Sequence, residues 1–230
     1  MSKNKIAALV PMKGNSERVP NKNIRDFNGK PLLYWIINTL KSVEQIDDII
    51  INTDSKKIIN YCKEFFPNEI TIFNRPEHLC GGKISMNKII KHDVEKTGEY
   101  KHFLQTHCTN PLLSSKTIKD AIELYFDKLN DDYDSLFSVN RIQCRCYDIN
   151  GEPINHEFGQ LKRTQDLEPI LEENSNLFIF SRDSFFNSNE RRIGLKPYLY
   201  ETNKYESIDI DEENDFVVAE KLYELDLLDS

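Results

Sequence analysis

Positive charge is in short supply in this chain: 30 lysines and arginines face 38 aspartates and glutamates, a formal net charge of −8. A general nucleic-acid binder needs a basic surface, so nucleic acid is not an expected partner. A few cations gathered in one cleft can still hold an anionic nucleotide. Long apolar runs are lacking as well. The first, after the basic start "MSKNK", is only about seven residues, too short for the core of a secretory leader or for a membrane span. The expectation is a cytoplasmic protein without a membrane partner. Five cysteines, at 62, 80, 108, 144 and 146, have no zinc-site spacing, because Cys144-x-Cys146 is too tight for paired ligands and has no second pair. An odd number without a leader points to reduced thiols. Also missing are the Gly-x-Gly-x-x-Gly of a dinucleotide fold, the Gly-Lys-Ser/Thr of a P-loop, internal repeats and low-complexity tracts.

What is present reads as globular. Hydrophobic residues at 39% and aromatics at 10% exclude wholesale disorder, and 230 residues suffice for one α/β domain spanning the chain. "IAALVP" (6–11) is continuously apolar, as buried parallel strands are, and "PLLYWIINTLKSV" (31–43) has helical spacing with Pro31 near its first turn. The alternation continues through strands at 47–54, 69–73, 101–107 and 134–140. Between them lie helices at 55–66, capped by Ser55, at 85–98, closed by Gly98, and at 114–129 with a serine cap. Strands alternating with helices imply right-handed βαβ units and a mostly parallel sheet, whose ligands bind beyond the carboxyl ends of the strands. The polar segments "KGNSER", "NTD", "THCTN" and "VNR" all follow strands, so they converge on that edge.

From Arg141 to Asn174 the alternation fails. A hairpin turning at Asn150-Gly151 is followed by polar sequence without a period, either an inserted arm for dimer contacts or a meandering surface loop. The regular pattern resumes with "NLFIFSR", "YLYET" and "ESIDID", then an amphipathic helix at 213–228.

Three segments carry chemistry. The loop after the first strand places Lys13, Arg18, Lys22 and Arg25 beside Gly14, Asn15 and Ser16. Glycine lets the backbone turn sharply, exposed N–H groups can surround phosphate oxygens, and the cations can neutralise a triphosphate. A solvated basic loop is the plainer reading. In "SIDIDEENDF", Asp209 and Asp211 stand two apart, so on a strand both carboxylates share a face, an arrangement that a divalent cation stabilises. Capping of the last helix competes with this; it suits Glu212 and Glu213 better than Asp209, which lies between two isoleucines. In "FLQTHCTNPLL", Gln105 and His107 alternate to one face, and His107 is either a general base or a hydrogen-bonding group. Asp54 ends a strand as a helix cap or a nucleotide contact.

Together these segments resemble the acylneuraminate cytidylyltransferase family, which makes CMP-activated acidic sugars. The family opening runs P-A-R-G-G-S-K-R-I-P-x-K-N and then G-K-P-L; here it reads "VPMKGNSERVPNKNIRDFNGKPLL". "INTDS", "FNRPEHL", "TNPLL" and "ESIDIDEENDF" extend the likeness from residue 6 to about 225. The resemblance implies a Rossmann-like nucleotide-diphospho-sugar transferase fold and a homodimer with an arm reaching its partner. It also implies transfer of CMP from CTP to sialic acid or a related nonulosonic acid, with Mg²⁺ or Mn²⁺ and release of pyrophosphate, for surface glycans. The family's phosphate-contacting basic position falls on Lys13, its loop serine on Ser16, its Lys-Asn pair on Lys22 and Asn23, its nucleotide-side arginine on Arg75 and its metal-binding aspartates on Asp209 and Asp211. Catalysis is expected to depend on Lys13, Lys22 and Asp211.

Departures from the pattern bear on the acceptor. Lys13 replaces an arginine, giving a point charge in place of a bidentate fork, and Glu17 replaces a lysine. The glutamine before the family's Thr-Ser-Pro aligns with His107, displacing Gln105 by one alternation. Glu172 stands where an arginine commonly meets the sugar acid, where it would repel a carboxylate unless Arg163 compensates. Gln105, His107, Arg163 and Glu172 therefore form the expected acceptor side. Two alternatives stay open: a nucleotidyltransferase of this fold with another acceptor, such as another sugar acid, a small phosphate or a phosphonate, and a catalytically silent nucleotide-binding protein.

Overall fold

A computed structural model describes residues 5–225. Its centre is a seven-stranded sheet built from β1 (Ile6–Met12), β4 (Ile46–Thr53), β5 (Thr71–Asn74), β6 (His102–Thr106), β7 (Ser135–Ile142), β8 (Ile170–Ser181) and β9 (Pro197–Glu201). The order is β5-β4-β1-β6-β8-β7-β9. Every neighbouring pair is parallel except that β8 runs antiparallel to both β6 and β7. This is the expected mostly parallel α/β sheet with flanking helices.

The apolar runs form central strands because both faces are covered. All seven residues of β1 are buried. Ala8 and Val10 face a core shared with α1 (Leu32–Lys41), α2 (Lys56–Phe65) and α4 (Ser115–Lys128), whereas Ala7 and Leu9 face α3 (Met86–Lys96) and α5 (Arg182–Asn187). Five residues of α1 are buried. Each contributes roughly 1.5–3 kcal/mol, well above the fractions of a kcal/mol that its β-branched residues cost in helix propensity. A third cluster, with Phe27, Leu32, Ile210 and Phe216, docks α6 (Glu213–Glu224) and the segment before it. Among the described residues, no helix is long and apolar enough to cross a membrane.

Ser55 and Ser114 cap their helices as expected, accepting from the N–H groups of Ile58 and Thr117. Gly98 does not close α3. The helix ends at Lys96, Thr97 donates its hydroxyl back to the Asp93 carbonyl at 2.8 Å, and Gly98 has no left-handed backbone. "ESIDID" is not a strand: it begins in a turn at 204–207 and continues as irregular chain pinned by Ile210 N–H to the Thr109 carbonyl at 2.8 Å. A small hairpin not anticipated from the sequence, β2 (Asp26–Phe27) with β3 (Lys30–Pro31), turns through left-handed Asn28 and Gly29. Its signal was the Asn-Gly pair. Residues 226–228 of the anticipated last helix and the start of "MSKNK" lie outside the described residues.

Between β7 and β8, residues 143–169 form an irregular excursion, shorter than the 141–174 expected, because 141–142 and 170–174 belong to paired strands of the sheet. Tyr147 bridges Pro153 around a turn at 148–151, where the Asp148 carboxylate accepts the N–H groups of Asn150 and Glu152. Ile149, Phe158 and Leu161 are left exposed on it.

Candidate active site

The carboxyl ends of β1, β4 and β6 open onto a cavity of about 420 Å³, lined among others by Lys13, Asn15, Ser16, Lys22, Arg75 and His107. The loop after β1 folds over it for steric reasons. A Cβ on Gly14 would lie 2.8 Å from the Ser55 Cβ, so only glycine lets the loop pack on the start of α2. Gly14 N–H donates to Asp54 Oδ1 at 2.6 Å. Asp54 therefore anchors the loop, and the cap of α2 is Ser55.

Asn23 is a brace beneath the same loop: its amide donates to the Lys13 carbonyl at 2.9 Å, and its oxygen accepts from Cys108 Sγ at 3.0 Å. Lys22 is buried, its ammonium against the carbonyl of Ile210 and 3.5 Å from Asp211 Oδ1. Arg18 reaches the same Asp211 oxygen at 2.7 Å. Lys13 is exposed and forms no ion pair among the described residues. Arg25 does not join this group. It makes a two-pronged bond to Glu213 and lies on the Phe216 ring, fastening α6 to the loop.

Arg75 is held from the opposite wall. Its Nε donates to Asn52 Oδ1 at 2.8 Å and one terminal nitrogen to the carbonyls of Met12 and Asn52. Burial lowers its pKa. Asn52 in turn donates to the fully buried Asp93 at 2.5 Å, whose carboxyl burial pushes up. Asn52 and Asp93 were missed from sequence. The signal was an aspartate on the otherwise apolar face of "NKIIKHDV".

Gln105 and His107 share a face as expected, and the bonding fixes their proton positions. The Arg192 guanidinium, which can only donate, bonds to Gln105 Oε1. The Gln105 amide nitrogen therefore faces His107 Nε2 at 2.9 Å and the Thr106 carbonyl at 3.0 Å. His107 Nε2 must accept, so the ring carries its proton on Nδ1. Burial, with Arg192 and Lys22 nearby, lowers its pKa to about 3. His107 is thus neutral with its Nε2 lone pair engaged by Gln105, which favours a hydrogen-bonding group over a general base.

Asp209 and Asp211 flank buried Ile210. Burial raises the Asp209 pKa, and its Oδ1 is buried with no partner. An orphaned carboxylate oxygen beside a second carboxylate fits a divalent cation. No cluster of three or more His, Cys, Asp or Glu is assembled among the described residues. A cation here would fill its shell from phosphate and water, the habit of Mg²⁺. Glu212 and Asp215 cap α6, so the capping expectation belongs to them and not to Asp209.

The profile of the family described as Cytidylyltransferase matches residues 7–230. The chain belongs to the cytidylyltransferase family. This cytidylyltransferase-family chain is 24% identical over 224 residues to the N-acylneuraminate cytidylyltransferase of Streptococcus agalactiae serotype V, covering 93% of this chain and 52% of that one. It is 24% identical over 234 residues to the post-translational flagellin modification protein B of Campylobacter coli, covering 94% of each. The chain spans about half the length of the N-acylneuraminate cytidylyltransferases it matches. Two solved structures share its fold. One is a CMP:2-keto-3-deoxy-manno-octonic acid synthetase complexed with CTP, at 12% identity, TM-score 0.69, covering 97% of this chain and all of that one. The other is a 4-diphosphocytidyl-2C-methyl-D-erythritol synthase from Anaerococcus prevotii, at 12% identity, TM-score 0.67 and the same coverage.

Two residues expected on the acceptor side of this cytidylyltransferase-family site lie elsewhere. Glu172 sits on β8 opposite Asn140 and lines a separate cavity of about 380 Å³. Arg163 pairs with Asp166 at 2.7 Å on the excursion and does not compensate it. Arg192, which fixes Gln105, was not anticipated. In sequence it is one of two adjacent arginines in a polar stretch, and nothing marks it as half-buried.

Proposed function

We propose that this chain transfers CMP from CTP to a hydroxyl of an acidic sugar of the sialic or nonulosonic type, releasing pyrophosphate, as a cytoplasmic step of surface-glycan synthesis. The observation that carries the reading is the meeting of the loop cations Arg18 and Lys22 with Asp211, two residues from the unpartnered oxygen of Asp209, with Lys22 and Arg75 lining one cavity. The family assignment and the names of the relatives support it.

In this reading the acceptor oxygen forms a bond to the α-phosphorus as the bond to the β-phosphate bridge breaks in line, and the hydroxyl proton leaves to solvent. Positioning and charge carry the chemistry. Lys13, Gly14, Asn15, Ser16 and Asn23 shape the phosphate cradle; Lys13, Lys22 and Arg18 meet the charge that builds on departing pyrophosphate; Arg75 holds the nucleotide side. The cavity is lined by Lys13, Lys22 and Arg75 against Glu17 and Asp54, a small positive surplus that a triphosphate exceeds. Asp209 and Asp211 would hold Mg²⁺ or Mn²⁺, which when bound supplies the remaining positive charge. Exposed Ile149, Phe158 and Leu161 suit the excursion to cover by a second copy, in keeping with a homodimer.

Incubation with labelled CTP, Mg²⁺ and a panel of acidic sugars, with pyrophosphate release and product mass as readouts, tests this. A CMP-sugar is expected. Turnover only with phosphate or phosphonate acceptors favours the alternative acceptor class, and CTP binding without any product favours a silent protein.

A further inference from the structure

A second cavity, of about 260 Å³, opens beside the nucleotide cavity and is lined by Ser85, Met86, Asn87, Glu173, Arg191 and Arg192, with Ile193. Met86 lines both cavities, so they share a wall. Gln105 spans that wall from the other side, bonded to Arg192 at one end and to His107, in the first cavity, at the other.

Arg192 is the unusual group here. Its side chain is only 17% exposed and its guanidinium carbon lies 3.7 Å from the centre of the Phe178 ring. Burial lowers its pKa to about 10, so it stays charged at neutral pH. Its nearest carboxylate, Glu173, is 3.8 Å away, beyond hydrogen-bond distance, and itself 45% exposed. Of the five guanidinium donors, the one bonded to Gln105 is matched; the rest meet no acceptor at hydrogen-bond distance among the described residues. A half-desolvated planar fork with spare donors, held against an aromatic ring at the mouth of a cavity, is suited to two-pronged binding of an anion.

We propose that Arg192 reads the acid function of the acceptor, binding its carboxylate in the second cavity and so aiming its hydroxyl at the α-phosphate held in the first. This rests on the cytidylyl-transfer reading above. The ionic lining, Arg191 and Arg192 against Glu173, leaves one positive charge in surplus, which matches a singly charged carboxylate better than a doubly charged phosphate. Glu173 remains available to accept from a hydroxyl or amide N–H of the same molecule. The assignment also removes the difficulty raised by Glu172, since that carboxylate belongs to another cavity.

The test compares wild type, Arg192→Gln and Arg192→Lys with CTP and Mg²⁺, using N-acetylneuraminic acid and pseudaminic acid, their C1 carboxamides and a hexose phosphate. CTP affinity is measured separately by calorimetry. Wild type should favour an acid over its carboxamide by about 100-fold in kcat/KM, and Arg192→Gln should lose about that factor for the acid alone, mostly in KM. Arg192→Lys, which keeps the charge but not the fork, should fall between, and CTP affinity should stay within about twofold. The acid-to-carboxamide comparison needs no variant, so it stands even where Arg192→Gln folds poorly. Equal use of acid and carboxamide, an unchanged acceptor KM in Arg192→Gln, or preference for the hexose phosphate overturns the assignment while cytidylyl transfer survives. No turnover of either acid by wild type overturns both.

Discussion

The ammonium of Lys22 lies against the backbone carbonyl of Ile210 and 3.5 Å from the Asp211 carboxylate, joining a loop to a segment 188 residues later in the chain. The contact ties the cations of the loop after β1 to the paired aspartates. Lys22→Met keeps the stem and removes the charge. We expect kcat/KM for cytidylyl transfer to fall about 100-fold or more, as for loss of a preorganised cation facing developing negative charge. Pyrophosphate release against CTP concentration, with circular dichroism as the control for folding, measures it. Near-normal turnover would remove Lys22 from the site.

Asp211 offers the complementary test. Its side chain is 47% exposed, its ion pair with Arg18 is at the surface, and buried Lys22 keeps the Ile210 carbonyl as a partner, so its removal should cost about 1 kcal/mol of stability. Asp211→Ala should therefore fold normally yet lose turnover, and its activity should no longer respond to added Mg²⁺. Wild type should be silenced by a chelator and restored by Mg²⁺ or Mn²⁺. Retention of metal-dependent activity in Asp211→Ala would remove the metal assignment.

His107 links the site to stability through pH. Its pKa, ordinarily near 6.5, is lowered to about 3 in the folded chain. Above pH 6.5 neither folded nor unfolded chain protonates it. Between about 6.5 and 3 the unfolded chain takes up a proton that the folded chain refuses, so stability is lost as pH falls through that window. The slope approaches about 1.4 kcal/mol per pH unit once the unfolded histidine is fully charged. His107→Gln should flatten it. Urea unfolding of both proteins at pH 6.5, 5.5 and 4.5 reads the difference, and parallel curves would mean that His107 titrates as an ordinary exposed histidine.

Much of this arrangement was legible from local pattern. Apolar runs identify β1 and β4 because strands covered on both faces have no polar side to show, and the polar segments after them then fall on one edge. The direction of β8 was not legible for the same reason: "LFIF" is apolar on both faces whichever way it runs. The Arg75–Asn52, Asn52–Asp93 and Arg192–Gln105 bonds join residues 23, 41 and 87 apart, and a contact at such separation leaves no spacing to read, whereas Gln105 and His107, two apart, show as an alternation. Arg25 shows the converse. It stands in the same basic loop as Lys22, yet it pairs with Glu213, 188 residues away, a partner that composition does not reveal.

Gly14 gives the sharpest steric test of the phosphate cradle proposed for the loop after β1. An alanine Cβ there would meet the Ser55 Cβ at 2.8 Å and the Asp54 carboxylate at 3.2 Å, both fixed by the start of α2. The loop must lift, which breaks the Gly14–Asp54 bond and moves Lys13, Asn15 and Ser16 together. Because the strain falls on an exposed loop and not on the core, destabilisation should stay near about 1–2 kcal/mol. CTP affinity should drop by more than about tenfold, since several phosphate contacts shift at once. Calorimetric titration of CTP into Gly14→Ala, alongside thermal unfolding, separates the two effects. Unchanged CTP affinity would mean that the loop after β1 is not the phosphate cradle.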